Sequence, residues 1–181
     1  MRFLELVNKR QSVRAYSNDP VETDKIEKCI EAARLAPSAC NSQPWKFIVI
    51  NKPDLLKKVA EATFNSIIRF NKFSLQAQSL VIITLEKPKI ITQVGGLIKN
   101  KNYPLIDLGI AAEHFCLQAT ELGLGTCIMG WFNQENIKEI LSIPKNKEIG
   151  LIISVGYAPK NYVLRKKSRK DKKTILSYNK Y

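Results

Sequence analysis

Apolar positions in this chain follow two rhythms, spacings of three and four residues and short unbroken runs, and the two alternate along its length. Phe3 to Lys9 reads as a short helix. Thr23 is the expected N-cap of a longer one running to about Ala36, because Ile26, Cys29, Ile30 and Ala33 fall at i, i+3, i+4 and i+7 and Pro37 stops it. Trp45 to Ile50 is a compact apolar run suited to a buried strand. Pro53 suits the first turn of the next helix, with Leu56, Val59 and Ala60 inward. A helical stretch is expected around Phe64 to Phe73, followed by a second buried strand over Ser79 to Leu85. Gln93 to Asn102 reads as a loop.

The strongest helical signal comes next. Leu105, Leu108, Ala112, Phe115, Ala119 and Leu122 alternate spacings of three and four, while Ile106, Ile110 and Leu117 add apolar surface outside that seam. A helix apolar on more than one face must be surrounded, at the centre of its own fold or against a partner subunit. Gly123 ends it. A third strand is expected over Thr126 to Gly130, a short helix over Gln134 to Leu141, and a fourth strand over Ile149 to Tyr157. Long helices interspersed with buried β-branched strands indicate a layered α/β or α+β architecture. A Rossmann domain fits poorly, since no GxGxxG follows the first strand and Gly123-Leu124-Gly125 lies between a helix and a strand, the reverse of the required order. Walker, HExxH, GxSxG and kinase signatures are absent too.

At 181 residues, 45% hydrophobic and 25% charged, the composition is that of a globular protein, and the chain reads as one domain over 1–181 with a basic extension from about 160 to 181. No apolar run reaches eighteen residues and the N-terminus is charged and amphipathic, so a soluble, unprocessed, cytoplasmic protein is expected, with no membrane partner. Cys29, Cys40, Cys116 and Cys127 are widely spaced and lack a CxxC pair. They read as reduced thiols, with neither a disulfide framework nor a metal site.

Charge changes the picture more. The formal net charge of +13 reflects 29 Lys and Arg against 16 Asp and Glu, and from Lys160 to Tyr181 only Asp171 opposes a run of basic residues. Such a tail can be a solvated face, a phosphate or dinucleotide clamp, or a nucleic-acid footprint.

Three segments resist explanation by packing alone. In Arg10-Gln11-Ser12-Val13-Arg14 an extended backbone would point side chains 10, 12 and 14 the same way, a small anion-reading comb. Arginine at a helix end explains Arg10 but not Arg14. Pro37-Ser38-Ala39-Cys40-Asn41-Ser42-Gln43-Pro44-Trp45 is rich in turn formers and small hydrogen-bonding groups, which either connect a helix to a strand or face a polar planar ligand. In Gly123-Leu124-Gly125-Thr126-Cys127-Ile128-Met129-Gly130-Trp131-Phe132, Gly130 directly after an apolar strand suits close approach of backbone to a flat ligand, or equally a bulge or turn.

Together RQSVRAY, PSACNSQPW, GLGTCIMGWF, VGYAP and the basic Lys167-Ser168-Arg169 resemble, in order and over nearly the whole chain, the nitroreductase family that depends on flavin mononucleotide (FMN). PSACNSQPW is the most specific of these. The resemblance implies an α+β fold, a central mostly antiparallel sheet flanked by helices, and an intertwined homodimer that binds two FMN at its interface. It implies that Arg10, Ser12, Lys167 and Arg169 hold the FMN phosphate through charge-assisted donors. Arg14 would lie near N1 and O2 of the ring, where negative charge collects on reduction. Pro37, Ser38, Ala39 and Asn41 would border the ring from the other subunit, Met129 and Gly130 would offer backbone at the N5 edge, and Asn71 would touch the ribityl or pyrimidine side. Gln11 stands where the family commonly has a second arginine, Met129-Gly130 stands where larger members have Glu-Gly, and the chain is short for the family.

The implied activity is transfer of hydride from NAD(P)H to a small organic acceptor such as a nitroaromatic or quinone, in a ping-pong order. Flavin N5 carries the chemistry, so no catalytic side chain is expected. His114 in the long helix reads as structural, Cys40 as a small filler. Dehalogenation, enone reduction and flavin breakdown resemble this activity in sequence. A nucleic-acid-binding protein using the lysine tail is the rival from another class; the favoured reading has no nucleic-acid partner.

Overall fold

A computed structural model describes residues 2–87 and 101–181. The elements are α1 (Phe3–Lys9), α2 (Thr23–Arg34), β1 (Trp45–Ile50), α3 (Pro53–Glu61), β2 (Ser79–Leu85), α4 (Tyr103–Glu121), β3 (Gly125–Met129), α5 (Gln134–Leu141), β4 (Glu148–Gly156) and α6 (Lys172–Ile175), with 3-10 turns at Ala39–Asn41 and Lys72–Gln76. The expected loop over Gln93 to Asn102 falls largely outside the described residues.

The strands form one antiparallel sheet in the order β1-β2-β4-β3. β2 and β4 are central and covered on both faces, which is why their sequences run apolar without alternation. Val81, Ile83, Ile153 and Val155 pack against Ile26, Cys29 and Ala33 of α2 and against Leu108, Ala112, Phe115 and Ala119 of α4. Leu80, Ile82 and Ile152 turn the other way, onto Leu56 and Val59 of α3 and Ile137 of α5. The result is helices on both faces of a single sheet, the α+β arrangement expected. A bulge lies where the pairing of β2 with β4 shifts between Ile83 and Thr84, opposite Gly150. A Cβ on Gly150 would sit 2.6 Å from Leu108 Cδ1, so α4 rests directly on the bulge.

The differences from expectation have physical causes. The N-cap of α2 is Glu22 rather than Thr23, and β3 and β4 each begin and end one residue early, within the ordinary fraying of element ends. The helix expected around Phe64 to Phe73 is replaced by turns and the short 3-10 segment from Lys72. Asn65 Oδ1 accepts the backbone N–H groups of Ile67 and Ile68 at 2.9 and 2.6 Å, an Asx turn that takes the donors a helix would need. On α4 the buried seam starts at Leu108; Leu105 and Ile106 remain exposed in the isolated chain. Cys40 is exposed rather than a packed filler.

One glycine pair decides where the N-terminal segment goes. Gly125 and Gly156 face each other at the end of the β3–β4 ladder. A Cβ on Gly125 would lie 2.8 Å from Val13, and one on Gly156 would lie 2.7 Å from the Tyr16 ring. Two missing side chains thus make the slot into which Val13 and Tyr16 pack. There Val13 N donates to Thr126 O at 2.8 Å, and Tyr16 Oη donates to Val13 O at 3.0 Å and contacts Ser154 Oγ at 2.8 Å.

Replacing Gly156 by Ala should therefore lower stability by about 1–3 kcal/mol through overpacking, read as a lower denaturant midpoint with unchanged slope. A pH effect follows from the buried thiols: burial pushes Cys29 and Cys116 up to about 12. Unfolded thiols ionise near pH 8.5 while the native ones keep their protons, so stability is full below that pH and each thiol removes up to about 1.4 kcal/mol per pH unit above it. Denaturant titrations at pH 8 and pH 10 should show this loss, and Cys29→Ala should reduce it.

Candidate active site

The extended segment after α1 runs beside β3, where Ser12 forms an isolated parallel bridge with Thr126. Val13 is buried between Ser12 and Arg14, which in an extended backbone take the alternate direction. Arg10 caps α1, its N–H donating to Leu6 O at 2.9 Å, which favours a cation at the helix C-terminus.

The C-terminal segment lies along this comb. Tyr162 Oη accepts from Arg14 N at 3.0 Å, Gln11 Nε2 donates to Val163 O at 3.4 Å, and Gln11 Oε1 accepts from Arg165 N at 3.2 Å. The Arg165 guanidinium donates to Ser12 O and the Lys167 ammonium to Arg10 O. Gln11 can both donate and accept in this seam, which an arginine in its place could not.

Cations from both chain ends therefore converge. Lys167 is held below the ordinary lysine range first by burial, then by the nearby charges of Arg10, Arg169 and Arg165, opposed by Glu113. Arg10 Nε reaches Glu113 Oε1 of α4 at 3.3 Å as an ion pair, yet it is buried and makes no hydrogen bond. The Cys127 thiol beneath them is raised by burial and lowered by Arg14, Ser12 and Arg165. Glu113 is one carboxylate against several cations, so the group keeps a net positive charge, and Arg10 Nε is a buried donor without a hydrogen bond. Planar guanidinium forks and an ammonium suit a phosphate, and the residues present fit the phosphate of a mononucleotide.

Arg165 was not among the residues that sequence reasoning chose for this group. Its spacing, two and four residues before Lys167 and Arg169, was a usable signal once the segment is extended.

The strand end beside the comb is open. Met129 is buried and paired with Ile152, so only its backbone faces outward, and a Cβ on Gly130 would meet nothing within 4 Å. A flat molecule can approach this backbone closely. Asn71 is buried and its Nδ2 donates to Trp131 O at 2.9 Å and Thr63 O at 3.3 Å, so it holds the turn after Gly130 in place.

The Pro37 to Trp45 loop stores backbone strain. Cys40, Asn41 and Gln43 all have positive φ, at 52°, 51° and 47°. The loop is locked by Ser38 Oγ accepting from Gln43 N at 2.9 Å, by Asn41 Oδ1 accepting from Gln43 Nε2 at 2.9 Å, and by both oxygens of buried Asp107 accepting from Ala39 N at 3.1 Å. Pro37 leads into it, exposed. Asp107 and Glu113 lie six residues apart on α4, about 9 Å along the axis and about 240° around it, so loop and comb attach to different faces of one helix.

His114 Nδ1 donates to Ala32 O at 3.2 Å and joins α4 to α2. Among the described residues, no group of three His, Cys, Asp or Glu could hold a metal ion, and no helix is long and apolar enough to cross a membrane.

Comparison with known proteins places this geometry. The model of the Nitroreductase family matches residues 7–157. Two solved structures superpose closely. A nitroreductase family protein from Clostridium novyi NT is 32% identical, with a TM-score of 0.78 over 88% of this chain and 87% of that one. An FMN-dependent nitroreductase from Clostridium difficile R20291 is 26% identical, with a TM-score of 0.79 over 99% and 100%. Among curated relatives, the oxygen-insensitive NADPH nitroreductase of Helicobacter acinonychis is 26% identical across 98% of this chain and 100% of its own. An iodotyrosine deiodinase of Nematostella vectensis is 26% identical across 96% and 74%. By the extent of the family match and by the fold it shares with these structures, the chain belongs to the nitroreductase family.

Proposed function

We propose that this protein is an FMN-dependent oxidoreductase that moves hydride from NAD(P)H to a small organic acceptor, a nitroaromatic or quinone, in a ping-pong order. The observation that carries this reading is the convergence of Arg10, Arg14, Arg165, Lys167 and Arg169, brought from both chain ends, on a segment bridged to β3, the strand that runs on to the uncovered Met129–Gly130 backbone. The names of the Clostridium difficile and Helicobacter relatives support the cofactor and the donor.

In this reading Arg10, Ser12, Arg165, Lys167 and Arg169 hold the phosphate. Arg14 sets a fixed positive charge at the pyrimidine edge, where it stabilises the negative charge that collects on reduction. The amide backbone of Met129 and Gly130 faces the reacting edge, and Asn71 positions that backbone through its Nδ2 while lying on the ribityl or pyrimidine side of the cofactor. When bound, FMN supplies the hydride-accepting and hydride-donating N5 atom. NAD(P)H and the acceptor use one face in turn, and protons come from solvent, since His114 Nδ1 is committed to Ala32 O.

The chain works as one domain whose basic extension serves the site, in a homodimer with two FMN at the interface. Pro37, Ser38, Ala39 and Asn41 of the partner subunit border the ring. The exposed apolar side chains Leu105 and Ile106 on α4, and Val163, Leu164, Ile175 and Leu176 on the extension, support an assembly that covers them. A second reading keeps fold and cofactor but changes the acceptor, and the deiodinase relative favours it. An anaerobic screen of nitroaromatic, quinone, enone and halogenated acceptors separates the two.

The test begins with the absorbance spectrum of the protein as purified and its bleaching by NADH or NADPH without oxygen. A flavin band that bleaches is expected; a colourless protein that takes up no FMN contradicts the reading. Lys167→Ala should weaken FMN binding roughly tenfold to a hundredfold, the worth of one hydrogen bond to a charged group. Arg14→Ala should instead lower the flavin reduction potential and slow reduction. Equal behaviour of the two variants in cofactor-binding and anaerobic redox titrations would refute these separate roles.

A further inference from the structure

Asp107 stands in the second turn of α4 with 4% of its surface exposed, beside buried Leu108 and one turn before buried Ala111. Taking a carboxylate out of water costs free energy that a packed apolar side chain in the same place would not. No ion pair with a described residue offsets this. Instead both oxygens accept one backbone donor, Ala39 N, at 3.1 Å. Such a residue adds little to the core, and what it supplies is a fixed point for another segment.

Ala39 opens a 3-10 turn, Ala39–Asn41, in a loop where Cys40, Asn41 and Gln43 have φ of 52°, 51° and 47°. Left-handed backbone is disfavoured for residues other than glycine, so the loop relaxes toward ordinary φ unless something opposes it. Hydrogen bonds inside the loop keep its shape: Gln43 N and Nε2 donate to Ser38 Oγ and Asn41 Oδ1, both at 2.9 Å. The second of these takes the oxygen of exposed Asn41 and leaves its Nδ2 as an oriented donor. Bonds within the loop do not decide where that shape sits. Asp107 ties it to α4, and Glu86 N, donating to Pro44 O at 3.1 Å, ties its end to the residue after β2.

We propose that Asp107 is a positioning residue for the flavin ring. Through Ala39 N it sets where residues 37–41 stand, and with them the donors that border the ring, while taking no part in holding the phosphate. This role rests on the proposed reading, in which the loop borders the ring of the partner subunit's cofactor. Its separation from the phosphate follows from α4: Glu113, which pairs with Arg10, lies about 9 Å along the axis from Asp107 and on another face. A change at Asp107 therefore reaches the loop without touching the gathered cations.

Two measurements test it in Asp107→Ala, which removes the tether, and in Asp107→Asn, which keeps the volume and one weaker acceptor. In the cofactor-stripped protein, amide hydrogen exchange over residues 39–43 should quicken roughly tenfold in the alanine variant and roughly threefold in the asparagine variant, the effects of losing and of weakening a hydrogen bond to a charged group. In Asp107→Asn the amides of β2 and β4 should keep wild-type protection. Protection lost evenly over loop and strands is the mark of a merely structural role and overturns the inference. Titration calorimetry then separates ring from phosphate, because riboflavin lacks the phosphate. Both variants should bind riboflavin and FMN more weakly by the same factors, again about tenfold and about threefold, so that the ratio of the two affinities stays within about twofold of wild type. A variant that weakens FMN alone, or a loosened loop with riboflavin affinity unchanged, overturns the inference. So does an Asp107→Asn protein indistinguishable from wild type, even where the alanine variant fails to fold. Wild-type protein that binds neither compound discards the flavin reading as well, whereas wild-type binding combined with any failure above discards the positioning role alone.

Discussion

The site depends on one packing event, the seating of Val13 and Tyr16 in the slot opened by Gly125 and Gly156. Without it the segment after α1 has no reason to run extended beside β3. With it, the segment that carries Arg10, Ser12 and Arg14 lies beside β3, and its Ser12 and Arg10 carbonyls accept from Arg165 and Lys167. The cations are thus placed by the hydrophobic effect and by main-chain hydrogen bonds, and their mutual repulsion is the cost. Burial first, and the neighbouring charges of Arg10, Arg169 and Arg165 after it, lower the affinity of Lys167 for its proton. Such an arrangement is preorganised for an anion, because the ordering and the repulsion are already met before the ligand arrives.

The same economy recurs at the other elements of the site. Buried Asp107 uses both oxygens on Ala39 N and holds a loop with three strained residues. Buried Asn71 holds the turn after Gly130. In each case one interior polar group fixes exposed backbone whose own contacts are too few to do so, as expected when a functional surface is built on a rigid scaffold.

Much of this was legible in the residues. β1, β2, α1 and α5 were readable to the residue; for β2 the reason is that a strand covered on both faces runs apolar without interruption, and for α5 that buried Ile137 lies between clear polar ends. The comb, the glycine at the strand end and the basic tail were readable as chemistry without a packing purpose. What was not legible depended on side chains answering backbone. Asn65 converts an apparently helical stretch into an Asx turn, a competition that periodicity does not register. Gln11 looked like a neutral replacement for arginine and is the clasp between the chain ends. Arg165 was hidden among other lysines and arginines, since composition marks a tail as basic but only register shows which of its charges turn inward. Leu105 and Ile106 read as apolar surface to be covered by the fold or by a partner subunit, and periodicity alone did not tell which; within the single chain they lie exposed.

The central claim is that charges from both ends of the polypeptide form a phosphate site, and riboflavin offers the sharpest comparison because it is FMN without its phosphate. Titration calorimetry of the cofactor-stripped protein with each compound at the same ionic strength isolates that group. FMN is expected to bind at least about a hundredfold more tightly than riboflavin, the worth of two or more charge-assisted hydrogen bonds. Equal affinity for the two would show that the gathered cations serve something else.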